Sequence, residues 1–225
     1  MLQQLTDRVW IYPYEEARDR PNLCLICGDR FSVAVDAGHS RAHVDAFYQA
    51  LSEKHLPLPE LTVLTHWHWD HTFGLHAIHG QSIAGRKTEA YLSAFRDRVQ
   101  AEGKACFLEL HESIRREYAG NTPVVITLPD MTFTGEMRVD AGNCGIRIWE
   151  APSPHTDDAV LILAEEEGVL FLGDAACGVF PSWVKDPHLS AQLSDAIAGV
   201  DAKLCVEGHA EPMTKNEMLS ELMKV

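Results

Sequence analysis

Long apolar runs are missing from this chain. None approaches the roughly 20 residues that a membrane-crossing helix needs. The first residues, Met1 to Arg8, hold neither a basic leader nor an apolar stretch, so no export signal is read there and a cytoplasmic location is expected. Basic residues are scarce: 19 Lys and Arg stand against 33 Asp and Glu, a net charge of −14. A field of that sign repels nucleic acid and anionic membranes, so a small-molecule substrate is the expected partner; the oligomeric state stays open. Cysteine is scattered, at positions 24, 27, 106, 144, 177 and 205, and reads as thiols rather than a disulfide framework. Linkers, low-complexity stretches and repeats of solenoid length are absent as well. With 225 residues, 46% of them hydrophobic, a single domain over 1–225 is expected. A chain of that length buries roughly 70% of its unfolded surface and needs no covalent staples.

What is present reads as strands interleaved with helices. Val9 to Tyr12 and Asn22 to Cys27 are short strands, Gly28-Asp29 a turn, and Phe31 to Val35 the return strand. Ser40 is placed to cap a helix whose Val44, Phe47, Tyr48 and Leu51 recur at helical spacing. Leu61 to Thr65 is a buried-strand candidate. Thr88 to Ala101 is predicted helical, and 104–119 is predicted to be a second continuous helix through Phe107, Leu110, Ile114 and Tyr118. Strands follow at Val124 to Leu128, Met131 to Phe133, Gly145 to Trp149, Val160 to Ala164 and Val169 to Leu172. Then come a helix over Leu189 to Val200 and a strand over Lys203 to Val206. A last helix is opened by the capping box Thr214-Lys-Asn-Glu217, with Met218, Leu219, Leu222 and Met223 facing inward. Two β-rich halves with appended helices point to stacked sheets covered by outer helices.

Histidine is the residue in excess, 12 in all. Four ligand-type residues crowd into His66-Trp67-His68-Trp69-Asp70-His71, directly after a predicted strand. In extended chain, residues i and i+2 share a side, so His66 and His68 can reach one ion. A turn after them lets Asp70 and His71 address a neighbouring position. Imidazole with carboxylate suits zinc, iron or manganese. The bland alternative is a solvated polar loop, which this density of ligand types at a strand end argues against. His155, Asp174 and His209 each follow a predicted strand, where rigid sites collect. Alone, each reads more readily as a satisfied structural group; beside the cluster, each reads as a ligand. Gly173 and Gly208 precede two of them and let the backbone turn closely.

His66-x-His68-x-Asp70-His71, followed in order by His155, Asp174 and His209, resembles the metallo-β-lactamase fold superfamily over nearly the whole chain, with a ligand set like that of glyoxalase II. The Asp36-Ala37-Gly38 and Gly173-Asp174 turns belong to the same likeness. The resemblance implies an α+β fold, a four-layer αββα sandwich with its site along one edge of the sheets. It implies two divalent metal ions, zinc first with iron or manganese as alternatives. One would sit on His66, His68 and His155, the other on Asp70, His71 and His209, with Asp174 bridging. The chain departs from the pattern around His155, where Pro154 precedes and Asp157-Asp158 follows Thr156. That leaves the subfamily open and raises Asp157 as an acceptor for a ligand histidine N–H.

Two adjacent metals share and ionise a water, so a bridging hydroxide is the expected nucleophile, oriented by Asp70 as the catalytic residue and proton shuttle. The expected activity is hydrolysis of a small carbonyl substrate: an ester, thioester, lactone or β-lactam. Many β-lactamases of this fold carry Cys where Asp174 stands, and glyoxalase II-like enzymes carry a helical C-terminal portion for which too few residues follow His209. Flavodiiron proteins place Glu at the position of His68, and RNA-processing nucleases carry basic arms. Two alternatives remain, a mononuclear iron oxygenase of the persulfide dioxygenase kind and a non-catalytic metal-binding module. Weaker signals read as structural. Cys24-Leu-Ile-Cys27 lies in a strand, where i and i+3 face apart. Cys177 reads as packing near the site, His76 and His79 as surface, and His39 more as structural than as a substrate-side group. Trp67 and Trp69 either wall the site or pack beneath it. Phe180, Trp183 and Lys185 read as a surface loop, or as an apolar and cationic substrate mouth.

Overall fold

Alternating side chains along the strands decide where the core lies, because each strand sends successive residues to opposite faces. The computed structural model describes residues 1–120 and 122–224, and these build two mixed sheets. The first runs in spatial order through β1 (Gln3–Gln4), β2 (Val9–Tyr12), β3 (Leu23–Cys27), β4 (Ser32–Val35), β5 (Leu61–Val63), β6 (Gln81–Gly85) and β7 (Met131–Phe133). It is antiparallel from β1 to β4 and parallel from β4 to β7. The second contains β8 (Glu136–Asp140), β9 (Gly145–Glu150), β10 (Val160–Ala164), β11 (Val169–Gly173), β12 (Leu204–Glu207) and β13 (Met213–Thr214), with only β11 and β12 parallel.

The inner faces meet in a dry aliphatic layer. Val9, Ile11, Cys24, Ile26, Val33 and Val35 of the first sheet pack with Ile146, Ile148, Val160, Ile162, Val169 and Phe171 of the second. The outer positions of the same strands are apolar too. Leu23, Leu25 and Ala34 pack under Phe47 and Leu51 of α1 (Arg41–Glu53), which Ser40 caps as expected. Leu161, Leu163, Leu170 and Leu172 pack under Leu193 and Ile197 of α6 (Pro187–Ala198) and under Met218 and Leu222 of α7 (Lys215–Leu222). Strands apolar on both faces need a layer on each, so the αββα sandwich follows from pattern and packing together. Cys24 and Cys27 lie on opposite faces of β3, and both are free thiols.

Several expectations are corrected. The segment 104–119 is not one helix but α4 (Ala105–Leu108) and α5 (Glu112–Glu117). His111 takes an extended conformation between them, and its side chain accepts the Ser113 N–H as a new N-cap. Val124 to Leu128 forms no strand. Val124, Ile126 and Leu128 instead pad the helical layer around Leu92, Phe95 and Phe107, and β7 takes the sheet edge. Met223 is exposed because α7 ends at Leu222. β1, β6, β8 and β13 lie outside the expected strands. In β8 the apolar alternation is masked by Glu136, Arg138 and Asp140 on the solvent side. No helix among the described residues is long and apolar enough to cross a membrane.

Candidate metal centre

The C-terminal ends of β4, β5, β11 and β12 open onto one rim. From them project Asp36, the His66–His71 loop, Asp174 and His209. Backbone bonds fasten the rim: Asp36 N–H donates to Val63 O at 2.9 Å, Ala37 N–H to His71 O at 2.9 Å, and Gly208 N–H to Gly173 O at 2.8 Å. The two glycines permit the close approach. A Cβ on Gly208 would stand 2.3 Å from Asp174 Oδ1, and Gly173, at φ +53°, lies where a Cβ would strike Thr65. His66 and His68 leave the end of β5, while α2 (Trp69–Thr72) turns Asp70 and His71 back beside them.

The expected ligand residues therefore converge, in two sets. His66, His68 and His155 form one; Asp70, His71, Asp174 and His209 form the other, each with ligating atoms within 4.8 Å of one another. Asp174 lies between the sets. Its carboxylate is 3.8 Å from His155 Nε2, 3.4 Å from His71 Nε2 and 3.7 Å from His209 Nε2. Asp70 Oδ2 is 2.9 Å from His209 Nε2 and 3.2 Å from His71 Nε2.

Surrounding acceptors fix which imidazole nitrogen is bare. The His155 Nδ1 faces the Gly178 carbonyl at 2.6 Å; a carbonyl only accepts, so Nδ1 carries the proton and Nε2 presents a lone pair. The His71 Nδ1 donates to Asp36 Oδ2 at 2.7 Å. The Thr65 hydroxyl donates to Asp36 and so accepts from His66 Nδ1 at 3.1 Å. The Nε2 atoms of His66 and His71 and Oδ1 of Asp174 are then buried without a hydrogen bond of proper geometry among the described residues. Orphaned ligating atoms at this density fit a bound cation, because buried polar groups are otherwise almost always paired. His68 Nδ1 lies 2.8 Å from His155 Nε2, so this pair too directs ring nitrogens at one point.

The two sets differ in electrostatics. Burial lowers His66 well below the usual imidazole range, reinforced by the charges of His71 and His68, and lowers His68 to about 4, reinforced by His155. Burial acts the same way on His71, but the charges of Asp70, Asp174 and Asp36 outweigh it and raise the group well above its usual value. His209 is raised to about 9 against burial, by the charge of Asp174 and the bond to Asp70. Burial opposes ionisation of Asp70 and Asp174. Nearby His71 and His209 overcome it and hold both carboxyls below their ordinary range. His66 and His68 are thus held neutral, while the other set demands positive charge between its carboxylates.

His68, Asp70, His155, Asp174 and His209 floor a cavity of about 390 Å³, with His66 and His71 buried and off its lining. Its walls beyond the ligands include Tyr14, Glu16, Asp19, Trp69, Phe180 and Trp183, with His111 and Cys177 alongside. Burial, then the charge of Asp70, raises Asp19 to about 6. Cys177 is a lining thiol that burial pushes up, which suits an inert wall better than a nucleophile. Trp69 lines the cavity, whereas Trp67 packs away against Tyr91 and Phe95. Phe180 and Trp183 are on the wall; Lys185 is not. His39 is fully buried, bonded through Nδ1 to the Arg18 carbonyl, and absent from the lining. Asp157 is not the acceptor for a ligand histidine. It pairs with Lys87 Nζ at 2.9 Å and Tyr91 OH at 2.7 Å, and Asp36 and Gly178 O serve the histidines instead. His76 is half-buried and His79 exposed. The role of Asp36 was present in the sequence only as a turn residue. Tyr14, Glu16 and Asp19 carried no local signal, since only tertiary folding brings them to the rim.

Known proteins of the same architecture superpose on this one. A metallo-beta-lactamase from Pontibacter korlensis matches with a TM-score of 0.71 at 16% identity, over 99% of this chain and 96% of that one. A metallo-beta-lactamase from Hirschia baltica matches at 0.68 and 15%, over 99% and 95%. At such identities the likeness speaks to the fold. A curated relative from Aspergillus versicolor, named "Putative transcription factor avaE", is 30% identical over 122 residues. That match takes in 53% of this chain, which spans about a third (33%) of the relative's length. The model of the metallo-beta-lactamase superfamily matches residues 18–209, which include all the converging ligand residues, and the chain belongs to that superfamily.

Proposed function

We propose that the chain is a metal-dependent hydrolase of a small carbonyl substrate, an ester, thioester, lactone or β-lactam. The observation that carries the reading is the pair of adjoining candidate ligand sets with buried, unbonded ligating atoms, five of whose residues line one cavity. His66, His68 and His155 would hold one divalent ion, Asp70, His71 and His209 a second, and Asp174 would be shared; zinc suits the donors best, with iron or manganese next. Divalent ions held there act as Lewis acids and bring the ionisation of water into the neutral range.

The chain's own groups do the rest. Asp36, Thr65 and the Gly178 carbonyl hold three imidazoles in the tautomer that leaves Nε2 bare. Asp70, kept ionised, orients a water and takes one of its protons on a carboxylate oxygen. The water oxygen bonds to the carbonyl carbon, the acyl bond to oxygen, sulfur or nitrogen breaks, and Asp70 returns the proton to the leaving atom. The other water proton dissociates with the product acid. The apolar wall of Trp69 and Phe180 shields the reacting atoms from water on one side. Nucleic acid and anionic membranes are poor partners for a chain of net charge −14.

Metal analysis and a substrate panel test the reading. Two ions per chain are expected, with hydrolysis of p-nitrophenyl esters, acyl thioesters, lactones or a cephalosporin that His68→Ala abolishes. One iron per chain with oxygen uptake and no hydrolysis would overturn it, as would RNA cleavage lost in the same variant.

A further inference from the structure

Beyond the ligands, the cavity wall carries charge of one sign. Glu16 and Asp19 stand on it, and no Lys or Arg does among the described residues. The arginines beside Asp19 are engaged elsewhere. Arg18 reaches Glu15 at 3.4 Å and Glu117 at 3.5 Å, while Arg20 reaches Glu15 at 3.3 Å and Glu117 at 2.9 Å. Two wall carboxylates thus border the cavity near Asp70 and Asp174, with no Lys or Arg on the lining among the described residues.

The rest of that wall is aromatic. Trp183 is 57% exposed, and its ring stacks on His155 at 6.2 Å and 17° and meets Phe180 edge-on at 5.7 Å. Its backbone is held at φ +56°, where a bulky side chain is uncommon. Tyr14 lines the same cavity, and the Trp69 indole N–H is buried in the wall with no acceptor. Exposed aromatic faces beside unpaired carboxylates hold an organic cation, through the ring quadrupole and through charge. An anionic arm meets repulsion there, and a neutral arm gains only burial. The net charge of −14 acts with the same sign at long range.

Resting on the hydrolase reading, we infer that the substrate carries a cationic arm, an alkylammonium or similar organic cation. Trp183 and Tyr14 pack against this arm, and Glu16 and Asp19 select it by charge.

Three p-nitrophenyl esters matched in length test this: 5-(trimethylammonio)pentanoate, its uncharged tert-butyl isostere, and adipate. With metal-loaded protein, kcat/KM should rank ammonium over tert-butyl over carboxylate, the first ratio being about tenfold or more. Glu16→Gln combined with Asp19→Asn should bring the ammonium-to-tert-butyl ratio near one. The ratio is insensitive to a general loss of folded or metal-loaded protein. Calorimetric titration with benzyltrimethylammonium and with phenylacetate supplies a readout independent of turnover. The ammonium should bind more tightly, and Trp183→Ala and the double variant should each weaken it. Hydrolysis of all three esters without charge preference, or with preference for adipate, overturns the inference and leaves the hydrolase reading standing. If no ester is hydrolysed but the ammonium binds and the double variant weakens it, the inference stands and the hydrolase reading falls. If the ammonium neither binds preferentially nor is turned over preferentially, the inference is wrong.

Discussion

Asp36 shows how much of a candidate metal centre lies outside its expected ligands. Its carboxylate accepts from Thr65 N–H at 2.7 Å, from the Thr65 hydroxyl, and from His71 Nδ1, and so aligns a ligand from each set. Asp36→Asn keeps an acceptor for Thr65 but sets an amide N–H₂ against a neighbouring donor. We expect it to weaken metal binding about 10- to 100-fold, measured by chelator competition, with an unchanged far-UV circular dichroism spectrum. Asp174→Ala should act differently. Its carboxylate lies within 4 Å of histidines from both sets, so removing it would expose the two proposed cations to mutual repulsion. Metal content after dialysis should fall for both ions together, and an unchanged two-ion content with full activity would refute the shared position.

Among the elements, the 3₁₀ turn Glu16–Arg18, the start of α1 and the end of α5 meet on one buried carboxylate. Glu117 accepts from Arg20 Nε at 3.0 Å and Nη2 at 2.9 Å and from the Ser40 hydroxyl, and its side chain is fully buried. Its bonds to Arg20 and Ser40 hold it below the usual carboxyl range although burial opposes ionisation. Removing one member of such a pair strands the other, so Glu117→Ala should cost about 3 kcal/mol. Thermal unfolding should show the loss as several degrees in Tm. The same variant frees the segment that carries Glu16 and Asp19, so discrimination between charged substrates should decline with it.

For the whole molecule, the inter-sheet core and the metal rim are separate cooperative problems. The aliphatic layer around Ile26, Ile148 and Ile162 contains none of the expected ligand residues, so chelation should remove metal and leave far-UV circular dichroism intact. In the chelated protein two of these histidines contribute to stability with opposite pH dependence. His209, raised to about 9, contributes stability that is complete below the unfolded value of about 6.5 and is lost as pH climbs toward 9. His68, lowered to about 4, is neutral in the folded state, so stability declines as pH falls from about 6.5 toward 4. Metal displaces the His209 proton, so the alkaline decline in Tm should vanish on reloading. As pH falls, protons compete for the ligands, and metal release should precede unfolding.

The convergence of the candidate ligand residues was legible in the sequence because they are dense and ordered at strand ends: His66, His68, Asp70 and His71 in one run, then His155, Asp174 and His209 each behind a strand. The αββα layering was legible too, since strands apolar on both faces leave few other ways to bury them. The break of 104–119 was not, because the apolar spacing continues through it while α4 stops at Leu108 and the His111 side chain caps a new start at Glu112. Nor was the padding role of 124–128, whose alternation suits a sheet edge as well as a helical layer. Which groups address the histidines was settled by folding: Asp36 and a carbonyl at Gly178 do so, and the nearby Asp157 turns to Lys87. The cavity wall was settled the same way. Tyr14, Glu16 and Asp19 come from a loop far in sequence from Trp183, and a charge selected by contact across the fold leaves no pattern along the chain.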